Sequence, residues 1–249
     1  MLVSIVTPTY NSEKYIRETF QSISEQSYSN WEWVVTDDCS TDNTFKVLLE
    51  LSLIDSRVKL FKNDINSGAA LTRNKSISES SGDFVAFLDS DDLWDKNKLK
   101  EQLDFMQSKG ANFSFTSFEI IDEFGVKTGS YVDKDHVTTV TYGEMLRKKA
   151  TLGCSTVILR KSFFNDIFMP NIRTGQDYAL WLKLLKETNH AFLINSVLTL
   201  YRITPNSISR NKFKKALRQW EIYRRIERLT LSESIVNIMF YGFRAIFRK

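Results

Sequence analysis

The sequence predicts an α/β fold, with a doubly wound, mostly parallel central sheet flanked by helices and a helical C-terminal extension. Three observations predict it. Strand-length apolar runs alternate with segments of helical period through the first hundred residues. The run Phe84–Leu88 is apolar without a break, as a strand buried on both faces must be. Acidic residues follow two of the strand ends, Asp37 and Asp38 after one and Asp89, Asp91 and Asp92 after another, where sheets of this kind bind ligands.

The elements follow in order. Leu2–Thr7 is a β-rich run that leads into Asn11 and Ser12, a pair able to start a turn and cap a helix. Tyr15, Ile16, Thr19, Phe20 and Ile23 then recur at helical spacing. Trp31–Thr36 is the second strand, and Phe45, Val47, Leu48, Leu51 and Ile54 mark the next helix. Val58–Phe61 is a third strand, 69–80 suits a helix, and Phe84–Leu88 is the buried fourth strand.

Past residue 110 the alternation loosens. Phe113–Ile121 reads as a strand, Glu123-Phe124-Gly125 as a hairpin turn, and Thr156–Arg160 as another strand. Asp177–Glu187 is an amphipathic helix whose Trp181, Leu180, Leu184 and Leu185 suit a core better than a sugar platform. Ala191–Ile194 and Val197–Tyr201 are short strands, and 212–247 is helical. No stretch rich in Pro, Gly or Ser separates two full domains.

Composition bounds the function. With 249 residues, 42% hydrophobic and 26% charged, the chain can build one large domain and is neither disordered nor low-complexity. Cys39 and Cys154 are unclustered, which suggests a reducing compartment, and only two histidines, His136 and His190, make zinc chemistry a poor fit. The N-terminus enters a strand-like run at once, without a charged leader and apolar stretch, so a cytoplasmic location is expected. Residues 202–249 hold 12 Lys/Arg against 3 Asp/Glu, leaving 22 against 27 in residues 1–201. An acidic body with a basic tail points to a tail that meets something anionic.

Asp89-Ser90-Asp91-Asp92 is the sharpest chemical feature. Carboxylates two apart beyond a buried strand can converge, with phosphate oxygens, on one hard cation such as Mg²⁺ or Mn²⁺. A metal held there neutralises charge on a departing diphosphate. The alternative is a solvated acidic turn in which Asp92 caps the following helix. Asp38 lies on the same rim, where a carboxylate can accept a hydrogen bond from a base N–H such as N3 of uracil. The alternative there is helix capping by Ser40 or Asp42.

The order and spacing of these segments resemble the family 2 inverting glycosyltransferases, which have the Rossmann-like GT-A fold. The resemblance runs from residue 2 to about 210. It comprises Val3-Ser4-Ile5-Val6-Thr7-Pro8-Thr9-Tyr10-Asn11, the acidic segment 37–42, Asn66-Ser67-Gly68-Ala69-Ala70 with Arg73-Asn74, Gly82-Asp83-Phe84 and Leu88-Asp89-Ser90-Asp91-Asp92. It implies that Pro8, Thr9 and Tyr10 cradle the nucleoside, that Asp38 meets the base and that Arg73 helps hold the donor. Asp89 would approach the ribose and Asp91 bind Mn²⁺ or Mg²⁺. In the second half, Gly153–Lys161 resembles the strand before the acceptor region, and Gln176-Asp177 the family's Glu-Asp motif, with Gln176 replacing the usual Glu. The resemblance makes Asp177 the catalytic base; an N-cap aspartate without chemistry is the alternative. Leu200–Ser209 resembles the loop that closes the catalytic domain, with Thr204 where a His is common.

The implied organisation is a catalytic domain over 1–210, with a nucleotide-binding half at 1–95 and an acceptor half at 96–210, followed by a basic amphipathic tail at 211–249. The tail interleaves Lys and Arg with Phe213, Leu217, Trp220 and Tyr223, then becomes apolar from Ile235 to Phe247, a run of 13 residues. A bilayer span needs about 20. A basic amphipathic helix can instead lie on an anionic membrane face, here the inner face of the cell membrane. The alternative is packing on the domain or at a homodimer contact; nucleic acid is not expected, since no recognised module accompanies the charge.

The implied activity is transfer of a sugar from a UDP-sugar to an acceptor hydroxyl with inversion, the acceptor being a polyprenyl-linked glycan intermediate of bacterial surface polysaccharide: O-antigen, capsule or exopolysaccharide. A nucleotidyltransferase would need a Gly-rich basic loop after the first strand, where this chain has Thr7-Pro8-Thr9-Tyr10-Asn11. A non-catalytic binding protein on the same fold is the remaining alternative.

Overall fold

The computed structural model describes residues 1–134, 138–204 and 212–247. His136 and the loop segment Pro205–Ser209 lie outside the described residues, as does the side chain of Phe213. In chain order the first half comprises β1 (Val3–Thr9), α1 (Ile16–Ser24), β2 (Trp31–Asp37), α2 (Thr44–Ile54), β3 (Val58–Lys62), α3 (Ala69–Ser78) and β4 (Phe84–Phe87). Then come β5 (Leu93–Trp94), α4 (Lys98–Lys109), β6 (Phe113–Ile121), β7 (Lys127–Val132), β8 (Thr139–Thr141), α5 (Tyr142–Leu146) and β9 (Ile158–Arg160). The last elements are α6 (Gln176–Thr188), β10 (His190–Arg202), α7 (Lys212–Glu221) and α8 (Leu231–Phe247).

The sheet runs β3-β2-β1-β4-β9-β6-β10-β5. Its first four strands pair in parallel. Beyond β4 the sheet is mixed, because β9 runs antiparallel to both β4 and β6 while β10 is parallel to β6. The chain winds outward from β1 to β3 and then returns to place β4 on the other side of β1, so a crevice opens beyond the carboxyl ends of β1 and β4.

The uninterrupted apolar run of β4 has a simple cause. Phe84, Ala86 and Leu88 face one buried layer with Ile16, Leu48 and Leu99, whereas Val85 and Phe87 face the other with Ile77 and Trp181. Side chains alternate along a strand, so a strand covered on both faces is apolar at every position. Trp181 is core, as its spacing suggested: it is fully buried, meets Phe87 edge-on with centroids 5.2 Å apart, and donates its indole N–H to the Leu152 carbonyl. Gly82 precedes β4 because a Cβ there would stand 2.7 Å from the Leu2 carbonyl oxygen and the Ser4 nitrogen.

Several local expectations shift. Asn11 starts a turn at φ 51°, but α1 begins only at Ile16 and has no side-chain cap; the Ser12 carbonyl accepts the first N–H groups instead. Asp42 does serve the start of α2, accepting the Thr44 N–H at 2.9 Å. The segment Thr156–Arg160 is strand only from Ile158, after a 3₁₀ turn over Cys154–Thr156. The two short strands after residue 190 are one strand, β10, with its register broken between Ile194 and Val197. Asp92 does not cap the next helix: it is buried, and Asn97 precedes α4.

The tail divides. After α7 a π-helical turn, Ile222–Ile226, buries Ile222 and Tyr223, whose hydroxyl donates to the Leu146 carbonyl. This half is packed on the body. In α8, by contrast, Leu231, Ile235, Met239 and Phe243 lie one turn apart and are exposed, Met239 at 68%. No helix among the described residues is long and apolar enough to cross a membrane.

Candidate active site

A cleft of about 910 Å³ lies beyond the carboxyl ends of β1, β2 and β4. It is lined by Pro8, Thr9 and Tyr10 at the end of β1, by Asp38 just after β2, and by Arg73 from α3. Asp89 and Asp91 follow β4, and Asp177 stands in the first turn of α6, near enough to Arg73 and Asp89 to act on both electrostatically. All eight residues singled out from the sequence therefore share one cavity, although α6 lies far from the others in sequence. Thr204 also lines it.

The acidic turn after β4 is held by residues that sequence reasoning passed over. Ser155 donates its hydroxyl to Asp92 at 2.5 Å and accepts the Asp89 N–H at 3.1 Å. The Arg202 N–H donates to Asp92 at 2.8 Å, and its buried guanidinium donates to the Asp91 carbonyl at 2.7 Å and to Glu18 at 2.6 Å. Ser155 was legible only as part of a family-like segment, and Arg202 only as part of a closing loop; nothing local to either shows that they meet the turn. Together they fix the backbone so that Asp91, and not Asp92, presents its carboxylate to the cleft.

The electrostatics follow from that arrangement. Burial, reinforced by Asp89, pushes the Asp91 carboxyl up to about 6. Burial also drives Asp92 well above the usual carboxylate range, with Asp91 and Asp89 adding to it. Asp89 itself is ion-paired with the buried Arg73. Like charges crowded out of water raise one another's proton affinity, and a cation relieves them.

Asp38 is more committed than a free rim carboxylate. Its oxygens accept the N–H groups of Ser67 and Gly68 and the Asn63 amide, each at 2.8 Å. Three donors on roughly four lone-pair positions leave room for one more partner. Asp38 thus first fixes the loop that enters α3, where Gly68 adopts φ 83°. Asp177 accepts the Tyr178 N–H at 2.8 Å. Burial raises its pKa against the opposing pull of Arg73, so desolvation outweighs the helix N-terminus that favours the ionised form. Among the described residues the buried Thr9 hydroxyl, Arg73 Nε and Gln176 Oε1 have no hydrogen-bond partner, and all three residues line this cleft. Buried polar atoms without partners are uncommon, and these three are available to a ligand in the cleft.

A divalent cation fits this donor set. No group of three or more His, Cys, Asp or Glu among the described residues forms a cage. One or two carboxylates completed by substrate phosphates is the usual arrangement for Mg²⁺, and Asp89 and Asp91, two apart and lining one cleft, match it.

Residues 4–168 match the family described as glycosyl transferase family 2. The chain is 41% identical over 245 residues to the putative teichuronic acid biosynthesis glycosyltransferase TuaG of Bacillus subtilis, spanning 98% of this chain and 96% of that protein. It is 40% identical to the Escherichia coli UDP-Glc:alpha-D-GlcNAc-diphosphoundecaprenol beta-1,3-glucosyltransferase WfgD, over 89% of this chain and 85% of that one. The structure superposes on S. aureus TarS in complex with UDP-GlcNAc with a TM-score of 0.78 at 24% identity, covering 100% of this chain and 74% of TarS. A parallel half-sheet with its acidic cleft, in that company, makes the protein a glycosyltransferase of the GT-A fold. The chain belongs to glycosyl transferase family 2.

Proposed function

We propose that the protein is a metal-dependent inverting transferase that moves a sugar from a UDP-sugar to a hydroxyl of a lipid-linked glycan intermediate in surface polysaccharide assembly. The observation that carries this is the single cleft in which Asp38, Asp89 and Asp91 from the first half meet Asp177 from the second. The relatives named for teichuronic acid synthesis and for transfer to a diphosphoundecaprenol-linked sugar support the acceptor class. In this reading residues 1–95 bind the nucleotide, 96–210 the acceptor, and 211–249 form the tail.

Pro8, Thr9 and Tyr10 flank the nucleoside, and the unpartnered Thr9 hydroxyl is one polar contact for it. The remaining lone pair of Asp38 accepts the base N–H. Asp89, oriented by Arg73, receives the ribose, while Arg73 Nε keeps a donor for the nucleotide. Asp91, with Asp89 near it, would hold Mn²⁺ or Mg²⁺, which when bound stabilises the charge of the leaving diphosphate. Asp177 takes the proton of the acceptor hydroxyl as its oxygen attacks the anomeric carbon from the face opposite the leaving group. A carboxylate with a raised pKa is a better match to that task than an exposed aspartate.

Incubation with Mn²⁺ or Mg²⁺ and a panel of UDP-sugars is expected to release UDP from one of them, faster when a sugar-diphosphate-lipid acceptor is added. If no donor is turned over and UDP does not bind, the proposal fails.

The exposed stripe of α8 supports peripheral attachment at the inner membrane face. Leu231, Ile235, Met239 and Phe243 form an apolar edge, with the basic Arg147 standing over Phe240 at 5.2 Å. The protein is expected to float with vesicles containing phosphatidylglycerol. Met239→Glu with Phe243→Glu is expected to leave it in solution while turnover of a short-chain acceptor is retained. Flotation of the double variant at the wild-type level would show that the stripe does something else.

A further inference from the structure

Besides its carboxylates the cleft is lined by cations that the donor chemistry above does not use. Lys148, Arg173, Lys215 and Arg218 all line the same cavity. They come from three places: Lys148 follows α5, Arg173 lies in the loop before α6, and Lys215 and Arg218 are three apart on α7, hence on one helix face. Among the described residues Arg173, Lys215 and Arg218 form no ion pair. Lys148 stands over the Tyr241 ring of α8 at 4.3 Å.

The packing ties these cations to the catalytic side chain. A Cβ on Gly175 would lie 3.5 Å from Arg218 Cγ and 3.1 Å from Ile222 Cδ1, so the stem of Arg218 rests on the residue that precedes α6. Asp177 is two residues further on, and it is close enough to Lys215 to act on that ammonium electrostatically. Gln176, which precedes Asp177 and lines the cavity, has an unpartnered Oε1 that can accept a hydrogen bond from a sugar hydroxyl. The buried Tyr223 and Ile222 hold this wall in place.

We infer that the C-terminal extension completes the acceptor site, and that Arg173, Lys215 and Arg218, with Lys148, bind the diphosphate of a sugar-diphosphate-lipid acceptor. The chemistry follows from position. The base that must touch the acceptor hydroxyl interacts electrostatically with Lys215 as well as with Arg73 and Asp89, so it stands within reach of both the basic residues and the donor carboxylates. An acceptor sugar between Asp177 and this wall carries two phosphates on its anomeric oxygen, and guanidinium groups recognise phosphate oxygens through paired hydrogen bonds. The tail is then part of the enzyme's specificity as well as its anchor. The inference rests on the lipid-diphosphate acceptor proposed above.

The test is binding to the full chain saturated with UDP and Mn²⁺, read by calorimetry. The probes are N-acetylglucosaminyl diphosphate carrying a short alkyl chain, and the neutral alkyl glycoside of the same sugar. Arg173→Gln and Arg218→Gln are each expected to weaken the diphosphate probe about tenfold, with UDP affinity within about twofold and the neutral glycoside unaffected. Arg218→Lys is expected to recover part of the loss, which separates charge from packing. If UDP affinity falls in step, the cations serve the donor diphosphate and the inference is wrong. It is equally wrong if the diphosphate probe binds the wild type no better than the variants. Should the probe bind as expected but never accept a sugar, the subsite stands and the acceptor proposed above is what fails.

Discussion

Asp177→Asn is expected to lower kcat for transfer by roughly 10²- to 10⁴-fold, the usual range for removing a positioned general base. The amide keeps the volume and can still accept the Tyr178 N–H, so the start of α6 is expected to survive. UDP affinity is expected to stay within about twofold, because in the proposed reading Asp38, Arg73 and the end of β1 hold the nucleotide and Asp177 does not. The wild-type rate carries a second signature. Burial raises the Asp177 pKa above the ordinary carboxylate value, so kcat/KM falls as acid protonates the base, with its acid limb above the range of an exposed aspartate. In the variant that limb disappears from the residual rate. A binding protein that merely keeps the fold predicts no change in any of these quantities, and unaltered turnover would remove Asp177 from the mechanism.

Asp91→Asn is expected to abolish the metal dependence and nearly all of the turnover while making the metal-free protein more stable. The two effects have one cause. In the fold the Asp91 carboxyl is pushed from an ordinary 3.8 to about 6 by burial and by Asp89. A raised carboxylate pKa means that the native state binds the proton more tightly than the unfolded chain. The cost of the buried charge is therefore absent below about pH 4, grows through the interval up to about 6, and is fully present above it. At pH 7.5 the neutral amide is expected to raise stability by on the order of 2 kcal/mol, a few degrees in Tm, with the difference vanishing toward pH 4. Mn²⁺ is expected to raise the Tm of the wild type but not of the variant. A variant less stable than wild type at pH 7.5, yet still stabilised by Mn²⁺, would move the metal site elsewhere.

Both predictions concern residues that short sequence motifs pointed to, and the reason is local geometry. In a parallel half-sheet the strand ends are contiguous with the ligand crevice, so a carboxylate immediately after an apolar run is a ligand candidate by its position alone. Asp38 and Asp91 were legible for this reason, and Asp177 because a family-like pair opens an amphipathic helix. The alternative in which Asp92 caps the coming helix does not hold, since this aspartate is buried under Ser155 and Arg202. Those two residues lie 63 and 110 positions away from it, and no local pattern encodes a contact across that distance.

The tail shows the same boundary from another side. Its period predicted helices, and α7 and α8 are helical. Packing and membrane contact stood as whole-tail alternatives; both helices pack on the body, and α8 leaves one edge exposed. Tyr223 is buried against α5, whereas Met239 and Phe243 remain exposed.

By itself, then, the sequence determined the α/β class, the parallel winding of the first four strands and the acidic strand ends, because period and strand-end position are properties of consecutive residues; Pro8, Thr9, Tyr10, Arg73 and Asp177 came from the family resemblance. Only the tertiary structure decided that Asp92 is buried under Ser155 and Arg202, that Asp38 is largely taken up by the loop before α3, and that a basic helix lines the cleft. Each depends on hydrogen bonds or packing between segments distant in the chain, whose energies are fixed only when the sheet has brought those segments together.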